Sequence, residues 1–490
     1  MRPGSRCNTL PAACVLAVLT GCTVGPEYVP PTPVVDSEWN AELPPGLQRD
    51  GATLGAWWSG FNDPELSALV DRALAGNLSL RQAAARVLEA RAQRSIASSG
   101  QFPTLTATGY AIRGETSDNS ITGRLTDNFY AAGFDAGWEL DLFGGIRRQI
   151  EAGDAAVDAS EEGYRDALVT LVAEVALNYV EVRSFQERLA ILAANEESQQ
   201  KTLELVRASV EAGEVSRLDL EQSTTNLELT RSQIPAIEAS LEHSMNRLAV
   251  LLGERPGTLS EELATRRPIP VAPASIAVGV PAEAMRRRPD VRRAERELAA
   301  QTAKVGVATA DLYPRFRLLG AIGLESMGSA SFLSGSSSVF GIGPSMQWNV
   351  FDAGRVRSNI EVQTSRQEQA LLAYESAVLV ALGEVENAIV AFGKERIRYE
   401  ALTLAEESAT RTLAIARDRY DMGVVSFISV LDAERSLLSV QDQLSVSGAR
   451  ITSFAIMLYK ALGGGWSALA PESSTPGSAP ETAVPEGTKE

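Results

Sequence analysis

The sequence predicts an α+β membrane protein: an internally duplicated protomer with four transmembrane β-strands and long coiled-coil helices. Three observations carry that fold class. The second half of the chain repeats the first at a constant spacing of 210 residues. Each half holds a segment that alternates apolar and polar residues with period two, the mark of a strand with one apolar face. The first half then runs from Tyr164 to Ala212 without glycine or proline, with Leu168, Val175, Val182 and Leu189 on a seven-residue step and Val172 and Tyr179 on the adjoining row. That is a coiled-coil seam.

The chain has 490 residues, more than one core usually fills. Its 45 Lys and Arg stand against 62 Asp and Glu, a formal charge of −17. Such an acidic chain repels a phosphate backbone, which argues against a nucleic-acid partner. At the N-terminus, Arg2 and Arg6 precede an apolar stretch, Leu10 to Leu19, too short to span a bilayer as a helix. Leu19-Thr20-Gly21-Cys22 follows at once and forms a lipobox, so Cys22 is the expected acylation site. Cys7 and Cys14 lie in the segment that would be removed, which leaves Cys22 alone and allows no intrachain disulfide in the mature chain. Thr23, rather than Asp, follows it and favours the outer membrane over inner-membrane retention.

The repeat holds without a gap over a long run. Trp138 matches Trp348, Arg147 matches Arg357, Tyr164 matches Tyr374, Gly213 matches Gly423, and Leu252-Gly253 matches Leu462-Gly463. Pro103 and Pro314 match at 211, so one residue is inserted upstream of the tryptophans. Two copies at so long a period make a doubled domain and not a solenoid. The expected boundaries are a lipoprotein signal at 1–21, a lipid-anchored segment at 22–76, a first repeat at 77–267, a linker at 268–286, a second repeat at 287–466 and a disordered tail at 467–490.

Each copy spells the same order. A helix comes first, Leu78 to Gly100 and Asp290 to Leu312, with Ser79 and Gln82 as a capping box in one and Asp290 as the cap in the other. Two strands follow. In the stretch around Trp138, Tyr130, Ala132, Phe134, Ala136, Trp138 and Leu140 share one face, with Asp135, Glu139 and Asp141 on the other. Phe340, Ile342, Met346, Trp348 and Val350 match them in the second copy. Phe316 to Glu325 alternates as well; its partner, Thr104 to Gly114, is weak and is placed as a strand because the repeat demands it. Long helices are expected from Arg147 to Ala212, about 100 Å at 1.5 Å per residue, and from Arg357 to Met422, weakened locally by Gly383 and Gly393. Return helices run from Ser216 to Leu252, bent at Pro235, and from Ser426 to Leu462.

Between outgoing and return helices the same turn occurs twice. Gly213 and Gly423 stand where a left-handed C-cap is wanted, and Ser216 and Ser426 where an N-cap is wanted. Both are tips of helical hairpins, and Val215 and Val425 share them. The strands raise a different problem. An apolar face in lipid with open sheet edges would leave backbone groups unpaired, so only a closed barrel can stand there. Transmembrane barrels start at about eight strands, and one chain offers four. Closure takes further chains: a dimer gives eight strands and a trimer twelve, and the carboxylates then line a wet lumen.

The stretches CTVGPEYVPP, WWSGFNDPEL, NLSLRQAAARVLEARA, RRPDVRRAERELAA and LYPRF, with the paired G-x-V-S tips, resemble the TolC-like outer membrane factors. The lipoprotein branch, of NodT or OprM type, is the most similar, and the resemblance covers Cys22 to about Trp466. It implies a homotrimer with a 12-stranded β-barrel and a periplasmic α-helical barrel, serving as the exit duct of a tripartite efflux pump. It also implies that Trp57 to Leu74 pack as an equatorial segment, that Cys22 is acylated in the outer membrane, and that a periplasmic adaptor docks at the tips, Gly213, Val215, Ser216, Gly423, Val425 and Ser426. An inner-membrane pump, proton-driven, would supply the energy. The family's acidic gate position matches Asp432, and its hydrophobic gate position matches Ile428. Ser429 and Val425 stand where TolC itself has a further acid and an arginine, so the ion pairs of the gate differ here.

No enzyme is expected. His243 is the only histidine, and no phosphate-binding loop, metal-spaced cluster or nucleophile elbow occurs. No cofactor or metal is expected either. Two alternatives stay open: an outer membrane channel for type I protein or oligosaccharide secretion, and a structural coiled-coil envelope lipoprotein.

Overall fold

The computed structural model describes residues 23–33, 35–49, 54–115, 117–119 and 126–466. The expected signal at 1–21, Cys22 and the expected tail at 467–490 lie outside them. The chain divides into two compact units, and each draws a segment from both copies. The first comprises Met1–Ser37, Leu78–Ala167 and Met285–Gly383; the second comprises Glu38–Asn77, Leu168–Ala284 and Glu384–Glu490.

In chain order the elements are β1 (Leu47–Gln48), α1 (Pro64–Gly76), α2 (Leu78–Ser99), β2 (Thr104–Glu115), β3 (Thr126–Leu140), α3 (Gly145–Glu211) and α4 (Arg217–Leu252). There follow β4 (Ile276–Ala277), α5 (Pro281–Arg287), α6 (Pro289–Ala310), β5 (Arg315–Ser326), β6 (Ser338–Gln347), α7 (Arg355–Asp421) and α8 (Phe427–Ala461). Both long helices contain 67 residues, and neither Gly383 nor Gly393 interrupts α7. Gly393 is small for a reason: a Cβ there would lie 2.9 Å from the Pro44 ring.

The first unit holds a four-stranded antiparallel sheet in the order β2-β3-β5-β6. Residues directly opposite each other share a face. Phe134 faces Ala107 and Ile322, and Ile322 faces Phe340; Trp138 faces Leu318. This row is the expected apolar face. Ile322, Phe340 and Ile342 are 64%, 83% and 78% exposed, far above what a core sheet shows. On the opposite face Glu139 pairs with Arg317 at 3.2 Å, and Asp135 accepts from Thr108 Oγ1 at 3.1 Å. Gly133 and Gly323 meet there in register, each closer to the other strand than a Cβ would allow. β3 and β5 can close together on that side, which bends the sheet toward its polar face.

Four local expectations need correction. β6 stops at Gln347, because its partner β5 begins at Arg315, just after Pro314, and nothing remains for Trp348 and Val350 to pair with. Asp141 is not on the strand face. Its carboxylate accepts from the amides of Ile146 and Arg147 and so caps α3. Ser79 lies inside α2, not ahead of it, and cannot be its N-cap. Asp290 lies one residue past Pro289, the first of α6; Arg288 is the N-cap and makes no side-chain cap bond. Asp290 instead takes the Arg288 guanidinium at 2.7 Å. Burial works to raise the Asp290 carboxyl, but that guanidinium and the Val291 amide prevail and hold it below the ordinary range.

The second unit is helical around an apolar seam. Leu168, Val172, Val175, Tyr179 and Val182 are all buried, as the heptad step required, and Leu189, the last of the step, is half-buried. Asp63 caps α1 through the amides of Glu65 and Leu66, with Pro64 at the first helical position. Helix α1 buries Leu66, Leu69, Val70 and Ala73. Its first turn is pinned by one cluster. Arg183, fully buried, pairs with Glu65, donates to Gln186 Oε1 at 2.7 Å and to the Thr265 carbonyl at 2.9 Å, and stacks on Tyr179. Tyr179 donates to Asp63 Oδ2 at 2.9 Å. The presumed linker contributes β4, which pairs in parallel with β1.

Removing one partner of a buried ion pair strands the other charge, at about 3 kcal/mol or more. Arg183→Ala should therefore release α1 and lower the temperature at which the folded protein is lost in detergent, with Arg183→Met costing less. Equal midpoints for Arg183→Ala and the parent would refute the anchoring role.

Candidate functional site

Both hairpin tips are built by the same backbone device. Gly213 has φ +79° and Gly423 φ +71°. At the first tip the Gly213 amide donates to the Val210 carbonyl and Glu214 to Ser209, at 3.1 and 2.9 Å. At the second, Gly423 donates to Tyr420 and Val424 to Arg419, at 2.8 and 2.9 Å. These crossed bonds are a Schellman motif, which closes the orphan carbonyls of α3 and α7 and needs a left-handed residue at its centre. Open space surrounds both glycines, so the backbone angle and not crowding demands them.

The tips part company at the return helices. Ser216 accepts from Leu218 at 3.1 Å while Asp219 reaches back to the Ser216 amide, a complete capping box. Ser426 occupies the N-cap of α8 with extended backbone but makes no side-chain cap bond. The two turns are brought together by one apolar cluster. Val206, Phe427, Val430 and Leu431 are buried, and Val210, Val215, Leu220, Leu413 and Tyr420 pack on them. Burial pushes the Tyr420 phenol upward, with help from the Asp219 and Asp421 charges. Val215 and Val425 are half-buried; Gly213, Ser216, Gly423 and Ser426 are exposed.

Asp432 and Ile428 lie one helical turn apart on α8 and share a face. Both are exposed in the single chain. The ion pair of Asp432 is with Arg435 at 3.8 Å, three residues on, and both side chains are well exposed. Beneath this surface lies a network that the sequence did not suggest. Glu434, buried, accepts from Arg417 at 2.8 Å; Arg417 also donates to Ser198 Oγ at 2.8 Å, and Asn226 Oδ1 takes Arg435 Nε at 2.9 Å. The partners come from α3, α4, α7 and α8. The i, i+3 step from Asp432 to Arg435 was there to be read; the Arg417–Glu434 pair had no local signal. His243 is exposed, and among the described residues no cluster of His, Cys, Asp or Glu is arranged to hold a metal.

A sequence profile described as "Outer membrane efflux protein" matches residues 69–254 and 280–464. Nodulation protein T of Rhizobium leguminosarum bv. trifolii is 33% identical over 92% of this chain and 96% of its own. The solvent efflux pump outer membrane protein SrpC of Pseudomonas putida is 31% identical over 92% of this chain and 97% of its own. The solved outer-membrane channel OprN superposes with a TM-score of 0.86 at 36% identity, covering 91% of this chain and all of that one (100%).

The cap asymmetry has a measurable consequence. Ser216→Ala should cost about 1 kcal/mol, which speeds amide exchange in the first turn of α4 about fivefold. Ser426→Ala should leave exchange in α8 near its parent value. Equal effects at the two tips would contradict the capping geometry.

Proposed function

The chain belongs to the outer membrane efflux protein family, and on that premise we propose how it is assembled, closed and driven. It is an outer membrane channel with a periplasmic helical extension, and it is the exit duct of tripartite efflux. Three copies contribute twelve strands to one barrel, and the long helices continue it as a tunnel. The duct is passive and performs no catalysis of its own. A periplasmic adaptor engages the tips at Gly213, Val215, Ser216, Gly423, Val425 and Ser426, and a proton-driven inner-membrane pump delivers small molecules. Cys22 carries the acyl anchor.

The observation that supports this reading above others is the sheet. It carries an exposed apolar row of Leu105, Phe134, Ile322, Phe340 and Ile342 on one face and the Glu139–Arg317 pair on the other. Its end strands β2 and β6 each have one unpaired edge. A soluble sheet would cover the row; a lipid-facing sheet must close its edges. The helices repeat the argument in water. Val390, Ile397, Leu404 and Ile415 are all exposed on α7, at steps of seven, seven and eleven residues. Steps of seven and eleven return to nearly the same side of a helix. Such a stripe fits packing against a helix of a sister chain.

Asp432 and Ile428 form the proposed constriction at the periplasmic end. Asp432→Ala together with Ile428→Ala removes the charge and the apolar bulk, and single-channel conductance in a planar bilayer should rise; unchanged conductance would remove the gate from these residues. A side chain at φ near +75° costs about 1–2 kcal/mol. Gly213→Val or Gly423→Val should thus distort one tip, weaken cross-linking to the adaptor and leave the trimer intact. Full cross-linking and full export in both variants would place the docking surface elsewhere.

A further inference from the structure

The segment behind the acylated cysteine is not a free tether. Thr23, bonded to Cys22, lies against Gly144, where a Cβ would be 2.9 Å from the Thr23 Cα. The Val24 amide donates to the Phe143 carbonyl at 3.2 Å. Gly25, at φ +90°, presses on Gly306 so closely that a Cβ on Gly25 would run into the Gly306 Cα. Arg148 then closes the slot from α3. Its buried guanidinium donates through Nε to the Val24 carbonyl at 3.1 Å and through Nη2 to the Gly25 carbonyl at 3.4 Å, with Nη1 held by Glu151 at 2.7 Å. These contacts read backbone, not side chains. A second hold follows at Tyr28, which packs on Ala155, Ala299 and Ala300 and donates to Glu295 Oε1 at 3.1 Å.

A buried arginine is expensive to desolvate unless its donors are used. Arg148 spends two of its three nitrogens on carbonyls of this strap. The slot begins at Gly144, between the end of β3 at Leu140 and the start of α3 at Gly145. We propose that Gly144, Arg148 and Gly306 form a seat for the backbone directly behind the lipidated cysteine, and that this seat fixes where the acyl chains stand relative to the foot of the sheet. Arg148 is thus a positioning residue for the anchor. Without the seat, the next hold is Tyr28, six residues from Cys22, and the acyl group could wander over about 20 Å. The membrane depth of the sheet would then no longer be set before the barrel closes, and closed trimer would be lost.

The inference rests on the acyl anchor proposed above, and the test separates the two. The full-length chain is expressed with its own signal in a Gram-negative outer membrane, as the parent and as Gly25→Val and Arg148→Lys. Gly25→Val acts from the strap side alone. Arg148→Lys keeps a cation beside Glu151 but loses the fork onto both carbonyls. Three quantities are read: the mass of the N-terminal peptide, the hydrogen-exchange rate of the Val24 amide that is bonded to Phe143 in the seat, and the amount of heat-stable trimer in the outer membrane. Both variants should carry the parent's acyl mass, exchange that amide about tenfold faster because exchange follows the opened population, and show loss of trimer. Parent-like exchange in both variants would overturn the seat, as would faster exchange with undiminished trimer. Trimer loss confined to Arg148→Lys would also overturn it, since the arginine would then act within the helices. An unacylated parent peptide would sink the anchor reading instead.

Discussion

The rest of the molecule depends on backbone hydrogen bonding at two sheet edges. β2 and β6 each pair on one side, and each has an unpaired edge on the other. In water such edges are hydrated. In hydrocarbon each unpaired group costs several kcal/mol, and no side-chain adjustment within one chain removes the debt. The apolar row on the sheet makes hydrocarbon the face's proper solvent. One chain therefore cannot be the functional object. The polar face, with Glu139–Arg317 and Asp135–Thr108, is consistent with a water-filled interior, and the Gly133–Gly323 contact bends the sheet around it.

Duplication answers the same constraint economically. Each copy supplies two strands, one long outgoing helix and one return helix, so a threefold assembly has six similar parts to arrange. The copies keep even small fittings. Trp138 donates its indole N–H to the Gln101 carbonyl at 2.9 Å, and Trp348 donates to Leu312 at 3.0 Å. The tryptophans are 210 residues apart and the acceptors 211, the same offset that separates the two prolines. Both indoles tie the end of a strand to the end of the preceding helix on the lipid-facing side, where an amphipathic ring suits the membrane boundary. The copies diverge at the tips: Asp219 completes a capping box at one, and its counterpart Ser429 leaves the other without one.

Most of this was legible because period and spacing report directly on backbone geometry. The long helices, the return helices and three of the strands followed from periodicity and caps. β2 was not readable on its own, and its register shows why. Its outward row is Leu105, Ala107, Gly109 and Ala111, mostly small, while Tyr110 and Ile112 point to the other face, where Tyr110 stacks on Phe129. Alternation fails when the apolar row is small and the polar row carries aromatics. Helix α1 has a readable start, since Asp63-Pro64-Glu65 is a cap followed by a first-turn proline. The β1–β4 pair was not readable, because strands of two residues carry no period. Nor were Arg183–Glu65 and Arg417–Glu434. Partners 118 and 17 residues apart leave no mark on local sequence.

The surface around Asp432 bears on how the proposed gate could stay shut. Three bare carboxylates around an axis would repel one another and favour opening. Arg435 stands one turn away on the same exposed face, so a threefold ring would contain three charges of each sign. Its same-chain pair at 3.8 Å is exposed and worth at most about 1 kcal/mol. Asn226 Oδ1 holds its Nε at 2.9 Å, while Nη1 makes this weak pair and can turn to a neighbouring chain's carboxylate at little cost. The ring would then close by pairs between subunits, with Ile428 supplying an apolar step one turn nearer the tip. That tie through Asn226 leads to the first hairpin, and Asn226 lies beside the pair that buried Glu434 makes with half-buried Arg417. Any movement that drew the two hairpins apart would pull on that tie and on the ring together. Docking at the tips and loosening of the constriction would in that case be one displacement, carried by the packed helices between them.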